Sequence, residues 1–124
     1  MLVYDSMFAD SGTTCPDGNP CSPGWYVVGG TSSGSPQWAG LVAIADQIHG
    51  GRLGYIDPAL YAIASSPSQY AADYYDVTTG NNQAFSTVAG YDATTGWDPV
   101  TGLGTPNAAT LLPDLAATVR RLQG

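Results

Sequence analysis

The sequence predicts a fold that mixes short strands with helices, and three observations support this expectation. The aromatic and β-branched run Trp-Tyr-Val-Val at residues 25–28 is typical of a strand, and it stops at a Gly-Gly pair. A segment with the length of a helix follows over residues 33–49, and it contains the continuous apolar run of residues 38–45. Residues 107–122 form a second long helical segment. With 124 residues, the chain has at most one domain's worth of sequence.

The amino-terminal part predicts one more strand and a long loop. Residues 2–4 indicate a short strand with no preceding segment to pair with, and residues 10–24 are rich in Ser, Gly, Thr, Pro, Asp and Asn. Cys15 and Cys21 flank a turn-rich stretch of this loop. They favour a small disulfide if the protein is exported, and two free thiols if it stays in a reducing compartment.

The segment at residues 33–49 predicts a helix that is buried on every side. Its apolar residues leave almost no polar face, and a chain of this length can hardly cover such a helix. Pro36 is tolerated because it falls in the expected first turn, where no amide donor is needed. Gly50 and Gly51 then end the helix.

The remainder of the chain predicts two more helices around a long loop. Asp57 and Pro58 are expected to cap and open a short helix through about residue 64. Residues 65–106 are mostly loop, and an irregular stretch of this length is usually functional or organised by a metal. Pro113 is expected to kink or split the last helix.

The acidic composition excludes some classes of partner. The net charge is −7, every acid is an aspartate, and the sequence contains neither glutamate nor lysine. Nucleic acid is therefore not an expected partner, because its phosphates would be repelled. Residues 38–45, the longest apolar stretch, are too few to span a bilayer, so no membrane partner is expected. In acid, where the aspartates are protonated, the net positive charge stays small, which fits an extracellular, acidic setting. Any export signal would lie outside this chain.

Ser32 is the candidate nucleophile. It lies where a strand stops and an apolar helix starts, so free backbone amides and the helix dipole favour negative charge there. The amide of Ser32 itself could then meet a tetrahedral oxyanion. The alternative is an ordinary helix N-cap at Thr31 or Ser32. The preceding glycines, Pro36 and the apolar helix favour the catalytic interpretation.

No base for Ser32 is found on the same helix. His49, the only histidine, lies 17 positions further along, and the helical rise separates the two residues by roughly 25 Å. Asp46 is excluded by the same geometry, at roughly 20 Å. A Ser-His-Asp triad within this chain is therefore excluded, and the sequence predicts a structural role for His49 near the helix dipole.

Four motifs in order resemble the sedolisins, the serine-carboxyl peptidases. The first is the serine motif of residues 29–36, Gly-Gly-Thr-Ser-x-x-x-Pro, whose core subtilisins share. The three downstream segments are the ones that separate the two families: Gly-Tyr-Ile-Asp-Pro-Ala-Leu-Tyr at 54–61, Tyr-Asp-Val-Thr-Thr-Gly-Asn-Asn at 75–82, and Gly-Trp-Asp-Pro-Val-Thr-Gly-Leu-Gly-Thr-Pro-Asn at 96–107. The strand at residues 2–6 also resembles the one that precedes the family's serine loop.

The resemblance implies an α/β fold of the subtilisin-like kind, with a parallel sheet and a central buried helix. Residues 1–124 would be the carboxy-terminal portion of such a catalytic domain. It further implies an acid-active endopeptidase that hydrolyses peptide bonds with Ser32 as nucleophile. Family members activate the serine with a glutamate supported by an aspartate, and a further aspartate holds the oxyanion. These three acids lie upstream of the matched region, so the expected partners are a peptide substrate and the upstream half of the domain.

The resemblance also implies one bound calcium ion in the segments at 75–98. Its ligands would be the carboxylates of Asp76 and Asp98 and the backbone carbonyls of Val77, Thr94 and Gly96, with Thr94 standing where the family usually has glycine. The alternative for the Asp-Val-Thr-Thr-Gly stretch is an ordinary Asx turn. A second hypothesis for the whole chain is a catalytically inactive, calcium-stabilised module that binds a partner through its exposed helix and aromatic loops.

Overall fold

The computed structural model describes residues 2–5, 24–27, 29–83 and 87–124. The chain divides into two compact units, residues 1–39 and residues 40–124. Cys15 and Cys21 lie outside the described residues, so their pairing stays a prediction.

The first unit contains a two-stranded sheet of β1 (Leu2–Asp5) and β2 (Gly24–Val27). Both strands were predicted to within one or two residues. They pair antiparallel, and the rings of Tyr4 and Trp25 meet edge to face with their centroids 5.3 Å apart. Every strand pair among the described residues is antiparallel, so the implied parallel sheet is not confirmed. A parallel pair needs a crossover connection, whereas β1 and β2 need only a chain reversal.

Helix α1 (Thr31–His49) begins two residues earlier than predicted and ends at the predicted residue. Gly30 has a φ of 84° and precedes the helix, and its carbonyl accepts the N–H groups of Ser33 and Gly34 at 3.0 and 3.2 Å. Gly50, with a φ of 86°, follows its end. Because α1 starts early, Pro36 is its sixth residue rather than part of the first turn.

Helix α1 is not covered on every side, which agrees with the expectation that a chain of this length can hardly cover it. All 19 residues of α1 are described, and only Ser33 and Ala45 among them are buried. Ile44 and Ile48 are 49% and 44% exposed. The chain is too short to cover an apolar helix on all sides, which leaves part of this apolar surface in contact with water.

The second unit is built on α2 (Asp57–Ala64), α3 (Pro67–Asp73) and α4 (Ala108–Gln123). Helix α2 has the predicted bounds, but Asp57 is its first residue rather than its cap, because Ile56 occupies the cap position. The three helices pack around a small apolar core. The buried apolar side chains of this unit are Ala45, Leu53, Ala59, Ile63, Tyr74, Ala93, Leu111, Leu112, Leu115, Ala116 and Val119.

The region predicted as loop contains α3 and a short strand pair. Strand β3 (Tyr74–Tyr75) pairs antiparallel with β4 (Thr105–Pro106) and so closes residues 76–104 into one loop, called here the 76–104 loop. Gly104 permits this closure. Its φ is 86°, and a Cβ at this position would collide with the carbonyl oxygen of Tyr75.

Helix α4 runs without a break through Pro113, so of the two expected effects, a kink or a split, the split is wrong. Proline removes the hydrogen bond to the carbonyl four residues earlier, that of Ala109, and its ring crowds that carbonyl, but Ala109 is exposed and water can bind the freed oxygen. The buried side of the helix carries leucines and outweighs this loss. Asn107 anchors the start of α4, since its N–H donates to the carbonyl of Asp73 at 2.7 Å. None of the described helices is long and apolar enough to cross a membrane.

Candidate functional site: Ser32 and the 76–104 loop

Ser32 is the second residue of α1, and its side chain is exposed. Gly30, not Thr31 or Ser32, occupies the cap position, because its carbonyl accepts the first helical hydrogen bonds. Among the described residues, no hydrogen bond involves the hydroxyl or the N–H of Ser32. The positive end of the helix dipole lies in this turn. The geometry therefore leaves both the hydroxyl and a free amide donor accessible in one residue.

Pro36 has a direct consequence for Ser32. In a regular helix the N–H of residue 36 would donate to the carbonyl of residue 32, and proline has no N–H to give. The next turn is held instead by Gln37, whose amide Nε2 donates to the carbonyl and the hydroxyl of Ser33 at 2.9 and 3.0 Å. Ser33 is buried, so the two neighbouring serines differ sharply in accessibility.

His49 and Asp46, excluded as bases by their spacing, both make structural contacts. The Nδ1 atom of His49 lies 3.2 Å from the carbonyl oxygen of Gly51. The carboxylate of Asp46 accepts the N–H of Leu53 at 2.8 Å. The guanidinium of Arg120 donates to the carbonyls of Ile48 and His49 at 3.1 and 2.8 Å, and so satisfies the end of α1. These contacts agree with a structural role for His49.

The 76–104 loop brings the five predicted calcium-site residues into one unit, separate from the unit that holds Ser32. Asp76 follows β3 directly, and its two carboxylate oxygens accept the Tyr70 hydroxyl at 3.0 Å and the Gly96 N–H at 2.8 Å. The Thr94 N–H donates to the carboxylate of Asp98 at 3.1 Å. Both acids therefore contact the same short segment of backbone, residues 94–96.

Asp98 is 2% exposed, and its carboxylate accepts four hydrogen bonds. One oxygen accepts the N–H groups of Val100 and Thr101 at 2.7 and 2.8 Å. The other accepts the Thr94 N–H and, at 2.9 Å, the Thr101 hydroxyl. These donors, led by the Thr101 N–H, lower the pKa of Asp98 to about 2, although its burial acts in the opposite direction. Asp98 is thus held as a carboxylate by the turn that follows it.

The predicted donor set fits a hard cation in composition, but hydrogen bonds already occupy part of it. In the described part of the chain, the carbonyl oxygens of Val77, Thr94 and Gly96 accept no hydrogen bond. Asp76 accepts two bonds, so it has lone pairs to spare. The carboxylate of Asp98 has about four lone-pair sites, and its four donors fill them. A cation at this site would have to displace one of those donors. The described residues contain no group of three or more acidic, His or Cys side chains that could hold a metal.

Two residues that contact the site aspartates, Thr101 and Tyr70, were not predicted from the sequence. Thr101 could have been found, because an aspartate whose side chain binds the N–H groups two and three residues later is a common turn pattern. Tyr70 could not, since its link to Asp76 depends on how α3 packs. The Tyr70 ring also stacks on that of Tyr74, with centroids 5.6 Å apart. Burial, together with the bond to Asp76, raises the pKa of Tyr70.

Comparison with known proteins supports the resemblance that the motifs indicated. The chain is 39% identical over 97 residues to kumamolisin of Bacillus sp. (strain MN-32), covering 78% of this chain and 16% of that protein. It is 37% identical over 127 aligned positions to tripeptidyl-peptidase SED4 of Arthroderma otae, covering 87% and 21%. It is 35% identical over 131 aligned positions to human tripeptidyl-peptidase 1, covering 92% and 22%.

The chain spans between 16% and 22% of the length of these three relatives. No family model matches it, and no solved structure matches it. The similarity to kumamolisin and the tripeptidyl-peptidases nevertheless extends over most of its own length and includes bacterial, fungal and mammalian proteins. Together with the ordered motifs, it places this chain in the sedolisin family of serine-carboxyl peptidases.

Proposed function

We propose that this chain provides the nucleophile and the calcium loop of an acid-active serine-carboxyl endopeptidase. The observation that carries the proposal is Ser32, an exposed serine in the first turn of α1 whose N–H has no hydrogen-bond partner among the described residues. The names of the relatives add that they are peptidases, and a peptide is the substrate class that follows. An extracellular or otherwise acidic location belongs to the same proposal.

The chemistry at Ser32 is nucleophilic attack on a peptide carbonyl. The Ser32 Oγ would bond to the carbonyl carbon while its proton passes to a base, and the oxygen that becomes negative would be met by the free N–H of the first turn. A carboxylate base suits acid, where imidazole is protonated. The chain contains no glutamate. We therefore propose that the glutamate, its supporting aspartate and the oxyanion aspartate come from the upstream half of the domain.

A fluorophosphonate probe for activated serines tests this assignment. The 124-residue chain alone should not be labelled, and labelling should appear when the upstream half is supplied. Ser32→Ala should abolish it, and Ser35→Ala should leave it intact, because Ser35 is an exposed serine of the same helix. Strong labelling of the lone chain would contradict the missing base, and labelling that survives Ser32→Ala would contradict the nucleophile.

The proposed cofactor is one calcium ion in the 76–104 loop. Asp76, the carbonyls of Val77, Thr94 and Gly96, and Asp98 would hold it, with Asp98 exchanging one of its donors for the ion. The ion would neutralise the charges of Asp76 and Asp98 and would connect the two ends of the loop segment between them. Its support is that, in the described part of the loop, the carbonyl oxygens of Val77, Thr94 and Gly96 accept no hydrogen bond and the carboxylate of Asp76 has lone pairs to spare.

Thermal unfolding with calcium or with a chelator tests the ion separately from catalysis. Calcium should raise the midpoint temperature, and Asp76→Asn should remove most of that rise because it deletes a ligand charge. Asp92→Asn is the matched control, since Asp92 is an exposed aspartate of the same loop. If the midpoint does not respond to calcium in the unaltered chain, the loop is a metal-free turn organised by Asp98.

A second function is a catalytically inactive, calcium-stabilised module that binds another protein. The observation that favours it is the apolar surface of α1, where Ile44 and Ile48 are each nearly half exposed, together with the absent glutamate. The encoding gene separates the two functions. An in-frame upstream extension with a Glu-x-x-x-Asp motif and a further aspartate supports the peptidase, and a start at Met1 without such a neighbour supports the module.

A further inference from the structure

Asp73 is a fully buried carboxyl group without a hydrogen-bond partner. It is the last residue of α3, its exposure is 0%, and neither of its carboxylate oxygens accepts or donates a hydrogen bond. Its backbone, in contrast, is satisfied, because its carbonyl accepts the N–H of Asn107 at the start of α4. A buried polar group of this kind is rare in folded proteins and calls for a physical explanation.

The groups that face Asp73 from α3, β3 and α4 offer no positive charge. Asp114 on α4 is an acid whose carboxylate accepts the Gln69 amide at 3.2 Å. Thr110 on α4 has one hydroxyl proton, and the carbonyls of Ala72 and Asn107 compete for it at 2.8 and 3.3 Å, so it offsets the isolation of the nearby Asp73 only in part. Tyr74 is neutral, since burial, followed by the charge of Asp73, raises the pKa of Tyr74 to about 12.

The three arginines do not compensate for this acid. Arg120 donates to carbonyls at the end of α1, and Arg121 donates to the Thr118 hydroxyl at 2.7 Å. Arg52 is exposed. Since the chain has no lysine, no basic side chain hydrogen-bonds to Asp73. An ionised carboxyl would therefore be isolated in the core, which is far more costly than keeping it protonated.

We propose that Asp73 is a protonation switch for the second unit, neutral and compatible with the α3–α4 packing in acid, and disruptive to that packing once it ionises. The neutral carboxyl has an O–H that can be directed at the carboxylate of Asp114, so the pair can hold one proton between them. This inference does not depend on the proposed peptidase activity or on calcium.

The direction of the pH effect follows from the surroundings. Burial raises the pKa of Asp73 most, the charge of Asp114 raises it further, and Thr110 opposes the rise. A folded-state pKa above the unfolded value of about 3.9 means that the stabilisation is complete below that pH. It is lost as the pH rises through the raised value. The second unit should thus be more stable in acid than near neutrality on account of this residue.

Thermal unfolding of the 124-residue chain at about pH 4 and about pH 7 tests the switch. The unaltered chain is compared with variants in which a single aspartate is replaced by asparagine, which cannot ionise. From about pH 4 to about pH 7, the midpoint temperature of the unaltered chain should change less favourably than that of Asp73→Asn, by about 5 °C or more. Asp114→Asn should show an intermediate loss, because Asp73 then ionises without a neighbouring charge. Asp92→Asn, at an exposed position, should behave as the unaltered chain does.

A second measurement decides the matter even if Asp73→Asn does not fold. The chemical shift of the Asp73 carboxyl carbon can be followed by NMR as the pH is varied in the unaltered chain. A titration midpoint above the ordinary aspartate range supports the switch, and a midpoint within or below that range overturns it. An equal pH dependence of the midpoint temperature in the unaltered chain and Asp73→Asn would also overturn it.

Discussion

Two aspartates of the second unit, Asp73 and Asp98, are equally buried but have opposite surroundings. Asp98 is 2% exposed and Asp73 is 0% exposed. Asp98 accepts four hydrogen bonds, and Asp73 accepts none. As a result, the pKa of Asp98 is lowered to about 2, whereas that of Asp73 is raised. Burial raises the pKa of Asp73, whereas at Asp98 the local donors outweigh burial, so the supply of donors separates the two directions of shift.

The difference arises from where each acid lies in its element. Asp98 begins a turn, so the amides of the next residues are free and point back at its side chain. Asp73 ends a helix and precedes a strand, and nearby amides are already used by backbone carbonyls. The Tyr74 N–H, for example, donates to the Tyr70 carbonyl. A carboxylate at the end of α3 therefore has no local donors left to accept from.

The largest expected effect is that of Asp98→Ala, which removes the acceptor and leaves its donors in place. The N–H groups of Thr94, Val100 and Thr101 would then lie in partly buried positions without partners. We expect the midpoint temperature to fall by roughly 10 °C or more. The three amides should also exchange rapidly with solvent deuterium.

Asp92→Ala provides the control for this change, since it removes an exposed aspartate from the same loop. It should alter the midpoint by no more than a few degrees. Amides 94, 100 and 101 that stay protected in Asp98→Ala would mean that the turn does not depend on its carboxylate.

Gly104→Ala should come next, because it disturbs the β3–β4 strand pair that closes the 76–104 loop. The added Cβ would collide with the Tyr75 carbonyl and would occupy a φ that L-residues rarely adopt. A loss of about 2–4 kcal/mol in the free energy of unfolding is expected. Urea denaturation measures it.

Gly102→Ala separates the two causes of that loss. Gly102 also has a positive φ, 61°, but a Cβ there meets no atom within 4 Å. Its cost should be only about 1–2 kcal/mol, from backbone conformation alone. Equal losses in the two variants would show that the close approach to Tyr75 does not matter.

Strands β1 and β2, the end of α1 and the whole of α2 were predicted, because apolar composition and Gly or Pro punctuation act within a few residues. Helix α3 and the β3–β4 pair were missed, since a helix of 7 residues and strands of 2 residues are stabilised by tertiary contacts rather than by local pattern. Asp98 was found through a motif, and Asp73 was not, because its burial depends on the packing of α4.

The region around Ser32 shows the same limit. The sequence identified the residue and excluded His49 and Asp46, since these arguments need only helical rise. It misplaced the helix start by two residues, because Gly30 can end a strand or cap a helix equally well.

A smaller effect is expected from Thr101→Val, which removes one of the four donors to Asp98. The side chain keeps its shape, and the three backbone donors remain. The midpoint temperature should fall by about 5 °C. Thr105→Val is the control, because Thr105 is exposed on β4. A loss as large as that of Asp98→Ala would indicate that the hydroxyl, and not the backbone amides, organises this turn.

The smallest expected effect is that of Tyr70→Phe, which probes the link between α3 and the loop. The hydroxyl donates to Asp76 at 3.0 Å, while the ring stacks on Tyr74, and phenylalanine keeps the stack. The free energy of unfolding should therefore fall by only about 1 kcal/mol. Tyr61→Phe, at an exposed tyrosine of α2, should cost nothing measurable. If the two variants lose equal amounts of unfolding free energy, the Tyr70 hydroxyl does not help to position Asp76, and the Gly96 amide alone does so. With a single effective donor, Asp76 would then resemble Asp73, which has none, more than Asp98, which has four.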